Sequence, residues 1–281
     1  MVHYYIGLDL GQAQDYTALA LLEEALWLGD EVDWDSWGVY WPEDVPRSGR
    51  WVSPSVLSPH SALRALYVNY HFGRPPHPPL YLRHLERYEL GTKYTEIVAR
   101  VKRLLLRSPI RERLDYSRLL IDSTGVGRPV VDAFKAEGIR PISITIHGGS
   151  AVTHQLEGHL LDGLRVPKRD LVAAVQTLLQ NGRLRIAEAL ELAEVLKKEL
   201  LSFRVKLDPR TAHDSYEHWR EQDHDDLVLA VACAAWYREG VHKPRNRNPQ
   251  SQTGRLPGTP LEKPERCLQQ STLLIAALFT L

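Results

Sequence analysis

The sequence predicts an α/β fold with a mixed central sheet, antiparallel over its first three strands and parallel after them, flanked by helices. Three observations lead there. Two short apolar runs, Tyr4–Leu10 and the run closing at Asp122, read as buried strands, and a glycine follows each terminal acid within three residues. Later segments place apolar residues at three-to-four spacing, the period of amphipathic helices. The predicted order is three consecutive strands, then strand–helix–strand–helix–strand, then helices, a pattern that builds a sheet with parallel crossovers.

The elements follow in order. Tyr4–Leu10 is the first strand and Thr17–Leu22 its hairpin partner. Val32–Trp41 alternates weakly and holds three tryptophans, which suggests a third strand. Residues 42–79 break all periodicity; "GRPPHPPL" suits neither helix nor central strand, so an insertion or flap is expected, with a short helix over Ala62–Tyr70. Leu80–Arg87 can form a strand. Thr95–Leu106 is helical, with Ile97, Val98, Val101, Leu104 and Leu105 on one face. "RLLIDSTGVG" is a strand and a glycine-rich turn, and Pro129 opens a helix to Lys135. Ile142–Ile146 is a strand. Residues 168–180 and 188–201 are helices around a short strand at Leu184–Ile186, and His224–Tyr237 is the last helix. Residues 1–240 thus make one domain, and 241–281 read as a disordered tail by composition. No internal repeat is visible.

Composition narrows the function classes. Lys+Arg and Asp+Glu both count 35 in 281 residues, so bulk charge does not announce a polyanion partner. Arginine outnumbers lysine 26 to 9, a bias that suits phosphate contacts but that base composition of the genome explains as well. Cys233 and Cys267 match no ligand spacing, which points to a reducing compartment. The N-terminus lacks a secretory pattern. "STLLIAALFTL", Ser271–Leu281, is about half the length a bilayer span needs. A cytoplasmic protein without a membrane partner is expected.

The acids carry the chemistry. Asp9 and Asp122 close the two best buried strands, and ligand sites in such sheets gather at strand carboxyl ends. "DHDDLVLAVACAAW" puts Asp225 and Asp226 in the first turn of an almost wholly apolar helix. Capping explains one acid there, with Asp223 the cap, but three in four residues repel unless a cation neutralises them. An all-aspartate oxygen donor set suits Mg²⁺ or Mn²⁺. Two such ions about 4 Å apart would clamp the attacking water and leaving oxygen of a phosphodiester, with Asp9 bridging, Asp122 on one flank and Asp225 or Asp226 on the other.

"IGLDLGQAQDYTALALLE", "LLIDSTGVGRPVVDAF" and "HDDLVLAVACAAW", in that order and spacing, resemble the ribonuclease H-like nuclease domain of bacteriophage terminase large subunits. "LRVPKRDLVAAVQTLLQNGRLRIAEALELAEVLKKELLSFRVK" resembles the family's region before its last acid, and the likeness spans roughly residues 3–240. The resemblance implies a metal-dependent endonuclease that cuts concatemeric double-stranded DNA during genome packaging. It places Asp9, Asp122, Asp225 and Asp226 on the metal-binding acids. It implies a packaging ATPase, a small terminase subunit and a portal as partners, in the host cytoplasm. The chain shows no G-x-x-x-x-G-K-[ST], so the nuclease part without its motor is expected.

Other residues have plainer readings beside functional ones. Asp15 suits a turn, with an outer metal role as the alternative. Glu86 could point to the site or pair with Arg83 or Arg87. His147 with Gly148–Ser150 reads as a turn, and Lys168 and Arg169 as a solvated first helical turn. His224 beside the acids could act behind them. DNA grip is assigned to Arg128, Arg204, Lys206 and Arg210, each otherwise a surface charge. Rival readings are an actin-like or sugar-kinase-type ATP-binding enzyme, which lacks its late glycine pair here, a junction resolvase or transposase, and an inactive nuclease-like scaffold.

Overall fold

The computed structural model describes residues 4–11, 15–28, 50–54, 57, 65, 77–107, 110–111, 117–125, 128–158, 160–187, 189–205 and 224–240. Val32–Trp41, the Ala62–Tyr70 helix apart from Ala65, Asp223 and the tail from 241 lie outside the described residues. The strands are β1 Tyr4–Asp9, β2 Ala18–Glu24, β3 Leu26–Leu28, β4 Arg50–Val52, β5 Leu80–Arg87, β6 Ser117–Asp122, β7 Ile142–His147, β8 Thr153–Glu157, β9 Leu160–Pro167 and β10 Leu184–Ile186. The helices are α1 Tyr94–Leu105, α2 Arg128–Ala136, α3 Lys168–Gln180, α4 Ala193–Val205 and α5 Asp226–Gly240.

Eight strands form one mixed sheet in the order β10-β5-β2-β1-β6-β7-β9-β8. β1–β2 and β2–β5 pair antiparallel, whereas β1–β6, β6–β7 and β7–β9 pair parallel. This is the mixed sheet the sequence predicts, antiparallel on one side and parallel on the other. The third antiparallel strand of this sheet is β5, reached after the long excursion from β2. Two pairings were not anticipated. β3 and β4 make a separate two-stranded sheet, and β8–β9 adds an antiparallel hairpin at the sheet's far edge. Helix α4 also begins later than residue 188, at Ala193.

Apolar faces of the sheet are covered on both sides. One core joins Tyr5, Leu120, Ile144 and Leu164 of the strands to α3, α4 and α5. The other joins Tyr4, Ile6, Leu8, Leu119 and Ile121 to α1 and α2. Alternation along each strand assigns the faces: Tyr5, Gly7 and Asp9 point one way, and Tyr4, Ile6 and Leu8 the other.

Helix α5 is buried from Asp226 to Arg238, almost all of it apolar, so it runs against the sheet rather than over the surface. It crosses β1 at Gly7, where a Cβ would fall 1.8 Å from the Ala230 carbonyl oxygen. Only glycine permits this approach. Both ends of α5 are tied by buried ion pairs. Arg238 Nε donates to Glu24 of β2 at 3.0 Å, and Asp226 accepts from Arg87 of β5 at 2.7 Å. These charges also suit the helix dipole, acid at the start and base at the end. No helix among the described residues is long and apolar enough to cross a membrane.

Candidate active site

Parallel pairing of β1 and β6 sets Asp9 directly opposite Asp122 at the carboxyl ends of the two central strands. Both side chains lie on the α5 face. Ala230 sits over Gly7, so the helix start, one turn earlier, lies toward Asp9, two residues further along β1. Asp225 precedes α5, and its carbonyl accepts the Leu229 N–H at 2.9 Å. The charges of Asp122, Asp225 and Asp226 all act on Asp9. The four acids expected to meet therefore share one edge of the sheet.

Their protonation reflects that crowding. Desolvation, and then repulsion from Asp122, Asp225 and Asp226, hold the Asp9 carboxyl well above the usual range. Burial pushes Asp122 up to about 6, against the lowering effect of Thr124, whose N–H donates to Asp122 Oδ1 at 2.8 Å. Thr124 is fixed in turn: its Oγ1 accepts the Ile146 N–H of β7 at 2.7 Å. Cys233 of α5 is fully buried within reach of the Asp9 and Asp122 charges; burial first, then those charges, raises its thiol.

Asp225 and Asp226 have separate surroundings. The Asp226 carboxylate, 6% exposed, is held by Arg87, which also pairs with Glu199 of α4. Glu199 accepts the Val228 N–H at 3.3 Å, so it anchors the α5 start as well. Burial and the nearby Asp226 charge raise Glu199 to about 7. The Arg87 guanidinium lies 5.0 Å over the Tyr16 ring, and the His224 ring meets Tyr16 edge-on at 4.8 Å. Asp225 instead faces Lys168, whose Nζ lies 3.5 Å from Asp225 Oδ2. Lys168 also attracts Asp9 and Asp122. It is largely buried and not the solvated first-turn residue the sequence suggested.

Other expected residues fall elsewhere. Glu86 points to the opposite face from Arg87, because neighbours in a strand alternate, and pairs there with Arg100 at 3.4 Å and His84 at 3.3 Å. That corrects its candidacy as an outer ligand. Asp15 lines a cavity of about 200 Å³ with Gly11, Thr17, Glu89, Gly91, Thr92, Lys93 and Tyr94. Gly11 closes that turn, since a Cβ there would lie 2.1 Å from the Asp15 carbonyl oxygen. His147 Nδ1 accepts the Gly149 N–H at 2.9 Å, a local turn as read. Arg128 pairs with Asp162 at 3.0 Å and stays 67% exposed. The Arg204 side chain, Lys206 and Arg210 lie outside the described residues.

Whether these side chains suit a divalent cation is a matter of donors and charge. No group of three or more His, Cys, Asp or Glu among the described residues is already spaced to hold an ion. The donor chemistry nevertheless fits: Asp9 and Asp122 are adjacent carboxylates with raised proton affinity, and Asp225, whose charge acts on Asp9, pairs with the Lys168 ammonium. Sequence reasoning missed Glu199 altogether and named Arg87 and Lys168 without the partners they take here. Their partners lie 139, 112 and 57 residues away, and no local pattern marks them.

Fold and site define an α/β protein with a mixed central sheet and a carboxylate cluster at the carboxyl edge of its central parallel strands. No known family model matches the chain, and no curated protein does. Among solved structures it is similar to the large terminase nuclease from thermophilic phage G20c, at 16% identity over 84% of this chain and 82% of that one, TM-score 0.40. It is also similar to the Mn-soaked, inhibitor-bound human cytomegalovirus terminase nuclease domain, at 12% identity over 85% and 84%, TM-score 0.42. The same domain Mn-soaked alone gives 12% identity over 85% and 83%, TM-score 0.39. These values describe a distant likeness of fold.

Proposed function

We propose that the chain is a Mg²⁺- or Mn²⁺-dependent endonuclease that hydrolyses phosphodiester bonds of double-stranded DNA, with Asp9, Asp122 and Asp225 as the metal-binding acids. One observation carries the reading: two carboxylates are paired in register at the centre of the sheet, and a buried helix brings a third onto them. Unused, such a cluster is costly, since like charges in a desolvated site repel. Two divalent cations bound there would activate an attacking water and stabilise charge on the leaving 3′-oxygen.

The protein's own groups have distinct tasks. Asp9, central in the cluster, would hold the divalent cations together with Asp122 and Asp225. Asp122 is aimed by the Thr124 N–H. Asp225 closes the site from α5. Asp226 faces Arg87 and Glu199 and keeps the helix start in place. Arg128, exposed beside the Asp122 turn, contacts the DNA backbone. Base readout is low, so partners choose the cut site. The quoted sequence motifs support the biological setting: cutting of concatemeric viral DNA in the host cytoplasm, together with a packaging ATPase, a small terminase subunit and a portal.

Supercoiled plasmid incubated with Mn²⁺ tests the activity. Nicked and linear products should form, and Asp122→Ala should lower the rate by more than about a hundredfold, beyond what loss of an outer-shell partner costs. Intact plasmid with Mn²⁺, or cutting that survives in Asp122→Ala, would refute the assignment.

A further inference from the structure

The Lys168 ammonium stands in an unusual place. Lysine 168 is the first residue of α3, where the helix dipole disfavours a cation, and its side chain is only 20% exposed. Both costs need an offset. It comes from three carboxylates: Asp225 at 3.5 Å, with Asp9 and Asp122 also attracting it. The strand order explains the meeting. β9 runs parallel to β7, and β7 parallel to β6, so the residue after Pro167 emerges at the same sheet edge as Asp122.

We infer that Lys168 is the resident counter-cation of the acid cluster, and that divalent metal binds by displacing its ammonium from Asp225. This rests on the metal-binding reading above and adds a device to it. Among the described residues, the movable charge that faces Asp9, Asp122 and Asp225 in the apo cluster is this ammonium on its flexible stem. Metal entry exchanges that charge for stronger ones and frees the ammonium toward solvent or a DNA phosphate. The site then stays assembled without metal, yet metal affinity is held down by the competing side chain.

Two measurements on the full chain test it. The first is amine labelling of the wild type, read at Lys168 by mass spectrometry with and without Mn²⁺. Labelling should rise severalfold on metal addition; unchanged or reduced labelling would overturn the displacement. The second is Mn²⁺ titration calorimetry of Lys168→Met. Removing a competing charge about 4 Å from the ion's place should tighten binding by about tenfold or more. Equal or weaker affinity would overturn the inference. The two readings fail separately. A wild type that binds no Mn²⁺ refutes the metal site itself, whereas normal wild-type binding with an unimproved Lys168→Met refutes only the role of Lys168.

Discussion

Asp122 shows how a single residue couples stability to charge. Its folded-state affinity for a proton is raised, to about 6, because burial disfavours the carboxylate. Between the ordinary aspartate range and that value the folded chain holds a proton the unfolded chain lacks. Metal-free stability should therefore rise as pH falls from 7.5 toward 5. Asp9 and Glu199 are shifted the same way and add to the trend. Thermal unfolding with chelator should show a smaller rise in Asp122→Asn than in the wild type, and saturating Mn²⁺ should flatten it. The two neighbouring aspartates should also separate. Asp225→Asn should weaken Mn²⁺ binding with a smaller loss of stability than Arg87→Ala. Arg87→Ala leaves Asp226 and Glu199 buried without their cation, and denaturant titration should show a loss of about 3–5 kcal/mol. An Arg87→Ala chain as stable as wild type would show that the pair does not anchor α5.

At the scale of elements, α5 converts sequence into site geometry. It reaches β1 only because Gly7 has no side chain, and that contact carries Asp225 to Asp9. Gly7→Ala should cost about 1–3 kcal/mol of stability through overpacking and should weaken Mn²⁺ binding by moving the helix start. Calorimetry would read both. Much of this was legible in the sequence. Asp9 and Asp122 stand out because an acid at the end of an apolar run is rare, and Asp225–Asp226 because they begin an apolar helix. The β8–β9 hairpin was not legible: every residue of β8 is exposed, so no alternation marks it. β3 and β4, three residues each, are too short to show a period. Arg87 was read as a surface partner of Glu86, since the face each takes depends on register with β2, where a bulge at Leu21/Leu22 shifts the pairing.

For the whole molecule, the sheet gathers its chemistry at one edge, beside the Arg87–Asp226–Glu199 tie, and a second set of structural charges at the other. Glu23 and Glu24, fully buried or nearly so, take Tyr4, Arg83, Tyr5 and Arg238 as partners at the far end of β2. The near edge holds Asp9, Asp122, Asp225 and Lys168. Net charge is zero, so on the proposed reading DNA is held at modest affinity that salt weakens steeply, measurable by fluorescence anisotropy. The most direct test of the shared cluster is anomalous scattering from crystals soaked in Mn²⁺. Two manganese peaks about 4 Å apart should lie against Asp9, Asp122 and Asp225, with Asp226 still on Arg87. Manganese bound away from Asp9 and Asp122, or held by Asp226 in place of Asp225, would contradict the account.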